Sequence, residues 1–184
     1  MKVKLLLIAI CWVLPFSVLA AQHASEQASE SKSSRATCPM HGSDSHGTAP
    51  SAAMNERGEE GMGFSQTSTT HHFLIEPNGG VIQVEVNDPS DTAVRDSIRK
   101  HLTHIAQAFK QGDFNIPMFV HETVPPGVPE MKRLRHKIDF SFEDTPGGGR
   151  VVIYTVDEES LAAIHKFLRF QIEEHNTGDS STVH

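Results

Sequence analysis

The chain has 184 residues, a net charge of −7 and a mean hydropathy of −0.31, an acidic balance that argues against a nucleic-acid binder working through phosphate contacts. This length suits one ordinary domain with appended segments. Two cysteines exclude a disulfide scaffold, whereas twelve histidines turn attention to metal ligation.

Residues 1–20 open with Lys2 and Lys4, continue as an apolar run over 5–16 and close on Ser17-Val18-Leu19-Ala20. That is the pattern of a secretory signal peptide, with an apolar core short of the roughly 18–20 residues that span a bilayer. A periplasmic protein without stable membrane insertion is expected. Ala21 and Gln22 stand where a lipoprotein would carry its cysteine, and loss of Cys11 with the leader leaves Cys38 as the one thiol. Cleavage after Ala20 would expose Ala21-Gln22-His23, whose amine, two backbone amides and imidazole offer four coplanar nitrogens of the kind Cu(II) and Ni(II) prefer. It resembles the amino-terminal copper and nickel binding motif, and a cut one residue later would destroy it.

Residues 21–69 are dominated by Ser, Ala, Gly, Glu and Thr and are read as a disordered metal-capture arm. Within them, Cys38-Pro39-Met40-His41 resembles the heavy-metal-binding modules attached to copper and silver transport systems. A thiolate, a thioether and an imidazole make a soft donor set, which selects Cu(I) or Ag(I) over hard cations. The piece NERGEEGMGF at 55–64 reads as a strap laid on the domain, with Met62 filling a gap.

An α+β domain is expected over 70–177, followed by a polar tail at 178–184. Its first hairpin is centred on Asn78-Gly79. His71 and His72 point to opposite faces of the first strand, and the sequence leaves open which one faces the helices. A helix over 91–111 follows, with Val94, Ile98, Leu102, Ile105 and Phe109 as its apolar stripe. His101 and His104 share the adjoining shoulder, three residues apart, a spacing that lets both rings reach one ion. Residues 114–121 read as a short extended segment because of Pro117. It offers Met118 and His121 as further donors, His121 ahead of Met118. Residues 130–135 form one or two helical turns whose Lys132, Arg133 and Arg135, with Lys137, make a solvated basic face.

The strand, Gly-rich turn, strand, helix order then returns over 138–174. Alignment of the two helices sets His101 opposite Phe167 and His104 opposite Phe170. Burying an imidazole without a partner costs on the order of 1–3 kcal/mol, so a ligand is expected to compensate the exchange. Two ββα repeats imply a four-stranded antiparallel sheet with two helices on one face. The pieces GMGF, THHF, HLTHIA, PPGVPEMKRL and FLRFQIEEHNTGD resemble a family of small exported bacterial proteins, a likeness that implies export and the domain limits and assigns no chemistry.

The sequence therefore reads as a periplasmic copper-binding protein, with zinc or nickel as substitutes and a copper transporter or cuproenzyme as delivery partner. Its donors would be Cys38, Met40, His41 and His23 in the arm, and His101, His104, His121, His71, His72 and Met118 in the domain. The rivals are a metal-dependent hydrolase or oxidase, which lacks a His-Glu-x-x-His pattern to support it, and a metal-free binding module.

Overall fold

The computed structural model describes residues 52–183; the expected leader, His23 and the Cys38, Met40 and His41 cluster lie outside the described residues. The order is α1 (Ala52–Met62), a 3-10 turn (Gln66–Ser68), β1 (Thr69–Glu76), β2 (Gly79–Val86), α2 (Thr92–Gln111), α3 (Asn115–His121), α4 (Val128–Arg133), a second 3-10 turn (Arg135–Lys137), β3 (Asp139–Thr145), β4 (Gly148–Tyr154) and α5 (Glu158–His175). The strands make one antiparallel sheet in the order β1-β2-β4-β3, so the two ββα halves join through β2 and β4. This is the α+β architecture implied by the repeat.

The pairing register settles the question of faces. His71, Phe73 and Ile75 of β1 lie opposite Val84, Ile82 and Gly80 of β2. Ile82 and Gly80 in turn face Val151 and Ile153 of β4. With Phe140 and Phe142 of β3 these side chains form the surface that meets the long helices. At Gly79, where φ is 148°, a Cβ would stand 1.9 Å from the Ile153 carbonyl oxygen, so this turn requires glycine for close passage of β4.

The long helices are bounded by local chemistry. Asp91 Oδ1 accepts from the Val94 N–H at 3.0 Å, and Gly112 closes α2 in the left-handed conformation. Asp157 does the same for α5, accepting from the Ser160 N–H at 3.0 Å. The predicted stripe Ile98, Leu102, Ile105 and Phe109 is buried on α2, and Ile164, Phe167, Leu168 and Ile172 are buried on α5. The helices cross over: α2 packs chiefly on β3 and β4, and α5 packs on β1 and β2. Each half therefore covers the hairpin of the other, which carries the end of α5 to the start of β1.

Three segments depart from the sequence expectation. Residues 115–121 are helical rather than extended. Pro117 is the third residue of α3, where its missing N–H is one of the donors that a helix's first turn leaves unpaired. Asp113 Oδ1 accepts from the Asn115 N–H at 2.9 Å, and Phe114 is fully buried against Phe109 with ring centroids 4.3 Å apart. Inside the stretch read as the arm, α1 packs on α3, its Arg57 Nε donating to the Val120 carbonyl at 2.9 Å. Beyond α5 the chain turns back, and Asp179 accepts from the Phe73 N–H at 2.8 Å, from the His72 ring at 2.9 Å and from the Thr177 hydroxyl at 2.7 Å.

Candidate metal centre

Four imidazoles from four elements line one pocket of about 80 Å³: His71 of β1, His101 of α2, His121 of α3 and His175 of α5. Met62, Gln66 and Gln171 stand beside them, over apolar walls that include Phe73, Leu102 and Phe167. The His121 and His175 ring centroids are 5.0 Å apart, and those of His71 and His175 are 6.3 Å apart. Phe64 stands edge-on to both His71 and His101, at 6.5 and 5.8 Å, and Phe73 stacks on His175 at 5.5 Å.

Each ring arrives for a local reason. His71 shares the helix-facing side of β1 with Phe73 and Ile75, so strand alternation turns it inward. His101 sits beside the buried Leu102 on the shoulder of α2. His121 and His175 are the last residues of α3 and α5, and each is followed by a residue in the left-handed region, Glu122 at φ 52° and Asn176 at φ 49°. These are the only non-glycine residues with positive φ among the described residues. Such strain costs on the order of 1 kcal/mol and gathers at functional sites.

The pocket disfavours charge on its own rings. Burial first, then the neighbouring His72, lowers the His71 imidazole to about 4. Burial, with His104 and His71 nearby, lowers His101 to about 4, and burial, with His121 and His71 nearby, lowers His175 to about 3. His121 is also pushed down, chiefly by burial. All four are neutral donors at neutral pH.

Hydrogen bonds then fix which nitrogens are bare. The Thr69 hydroxyl bonds the Ser65 carbonyl at 3.1 Å and lies 3.2 Å from His71 Nε2, which leaves His71 Nδ1 without a hydrogen bond among the described residues. His121 Nε2 donates to Gln171 Oε1 at 3.1 Å, which leaves His121 Nδ1 unprotonated. That nitrogen is buried without a hydrogen bond, and so are the amide nitrogens of Gln171 and Gln66 in the same pocket. The Glu174 carboxylate lies 3.9 Å from it. A buried ring whose far nitrogen is tied to a neighbour is the arrangement that orients metal-ligating histidines.

Of the domain residues predicted from sequence, the fold brings His71, His101 and His121 together. It does not add the other three. His72 points to the opposite face of the sheet and is engaged by Asp179. His104 is exposed and lines an outer groove with His101, Met62 and Lys100. Met118 is absent from the pocket wall because α3 turns Pro117, Val120 and His121 inward instead. Sequence alone does not reach His175, Gln171 and Gln66 as site residues, and it assigns Met62 only a filling role. A signal existed for two of them: Gln171 and His175 occupy the last two positions of the otherwise apolar α5 stripe.

As they stand, no three His, Cys, Asp or Glu side chains among the described residues are close enough to hold one ion. No helix among the described residues is long and apolar enough to cross a membrane. No family model, curated protein or solved structure matches the chain. Function must be drawn from the chemistry of the site.

Proposed function

We propose that this chain is an exported copper-handling protein that holds the ion in the histidine pocket and captures it with soft donors in the arm. The observation that carries the reading is the convergence of four neutral imidazoles on one pocket, with the buried His121 Nδ1 making no hydrogen bond among the described residues. The negative end of the α5 dipole, at His175, favours a cation there. Imidazoles accept Cu(I) and Cu(II) alike, while Cys38 and Met40 favour Cu(I), so Cu(I) is the ion that both donor sets accept without a change of oxidation state. Zn(II) and Ni(II) are the competitors, and a copper transporter or cuproenzyme would receive the ion.

Purified mature protein loaded separately with Cu(I), Cu(II), Zn(II) and Ni(II) tests this. Copper bound per chain should fall by one ion in a His101→Ala, His175→Ala double variant, and separately in Cys38→Ser with Met40→Ala. Unchanged copper content in the pocket variant would remove the folded site.

One observation favours a second reading, a metal-free pocket for a small organic ligand: the rings are not pre-closed into a three-donor site. Copper binding requires them to rotate inward, or only two of them to ligate Cu(I). Loss of copper content in the double variant decides between the two readings.

A further inference from the structure

Met62 and His101 each belong to two compartments. Both line the inner pocket with His71, His121 and His175, and both line an outer groove of about 270 Å³ with Gly63, Ser97, Lys100 and His104. Both cavities reach solvent; His104 on the outer groove is exposed, while the inner pocket is walled by the core residues Leu102, Phe109 and Phe167. Among the described residues no hydrogen bond engages the His101 ring, whose only ring contact is the edge of Phe64 at 5.8 Å. Gly63, at φ 79° with open space around it, lets the chain turn between Met62 on the groove and the buried Phe64.

We propose that this outer groove is an acquisition site for a soft monovalent ion, Cu(I) or Ag(I), and that His101 and Met62 pass the ion to the inner imidazoles. The inference rests on the copper reading of the inner pocket and assigns how that pocket is filled. The His104 and His101 imidazoles and the Met62 thioether are soft or borderline donors, and the neighbouring Lys100 ammonium weighs more heavily against a divalent ion than a monovalent one. Transfer is ligand exchange. The ion leaves His104 as it gains His71 or His175, with His101 bound throughout, so no proton or electron is moved. A ring with no competing hydrogen bond and space on both sides is suited to remain attached while its partners change.

The test uses the full mature chain carrying Cys38→Ser, Met40→Ala and His41→Ala, so that the arm does not compete. Cu(I) is supplied anaerobically as its complex with a chromophoric chelator, and loss of the chelate absorbance gives the loading rate and the final occupancy. His104→Ala should slow loading by about tenfold and leave occupancy within about twofold, and His175→Ala should do the reverse, lowering affinity by about tenfold or more with little change in initial rate. Met62→Leu should slow loading as His104→Ala does. An unchanged rate in His104→Ala, or an affinity loss equal to that of His175→Ala, would overturn the port while leaving the inner site intact. A parent protein that takes no copper from the chelator would instead overturn the copper reading itself.

Discussion

At Gln171 a buried amide spends its oxygen on His121 and leaves its nitrogen without a partner. A group of this kind lowers stability by the order of 1–3 kcal/mol, so its benefit lies in holding the His121 tautomer. Gln171→Leu removes the orphaned amide nitrogen but also the partner of the His121 Nε2–H, so the metal-free protein should change in stability by less than about 1 kcal/mol while copper affinity falls by about 10–100-fold; thermal melts and a chelator competition measure the two effects. A fall in both would mean that Gln171 is only a packing residue. Asp179 shows the opposite balance. Burial works against its carboxylate, but bonds from Thr177, the Phe73 N–H and His72 hold it below its ordinary range. Asp179→Ala frees the tail from β1 and should cost on the order of 1–3 kcal/mol in urea unfolding, with little effect on copper content.

Among the elements, α3 and the α4 start were the least legible. Pro117 argues against a central strand, yet it equally suits the first turn of a helix, and only the docking of Phe114 into the core decides between them. Gly127, ahead of α4, has φ 88°, and a Cβ there would stand 2.1 Å from the Ala163 carbonyl oxygen. Gly127→Ala should thus destabilise by more than about 2 kcal/mol, read as a drop in melting temperature, because strain and overlap with α5 add. Leu168, fully buried where α5 crosses the first hairpin, should cost about 2–5 kcal/mol on truncation to Ala. The stripe of α2 and its caps needed no tertiary information, since period, Asp91 and Gly112 agree with one another.

For the molecule as a whole, the three deepest shifts predict acid sensitivity. His71 and His101 are lowered to about 4 and His175 to about 3, from an ordinary 6.5. Between those values the unfolded chain binds more protons than the folded one, so stability is fully present above about 6.5 and is lost as the pH falls toward 4 and then 3. Urea midpoints of the metal-free protein should be level from pH 7 to 8 and fall steadily below 6. A His71→Gln, His175→Gln variant should flatten that slope, and an unaltered slope would place the sensitivity elsewhere.

Period, turn residues, caps and the internal repeat determined the α+β class, the hairpins and the two long helices, because those signals act between residues a few positions apart. The same local reading made His101 an unusual occupant of its shoulder, since the matching position in the second half is the core residue Phe167. It had no means of choosing between His71 and His72, or of bringing His175, at the end of the α5 stripe, into the same pocket, because both depend on strand register and on α5 crossing to the hairpin of the other half. Which rings share a pocket is fixed by contacts between residues some 20 to 100 positions apart, and those exist only once the sheet has paired and both helices have buried their stripes on it.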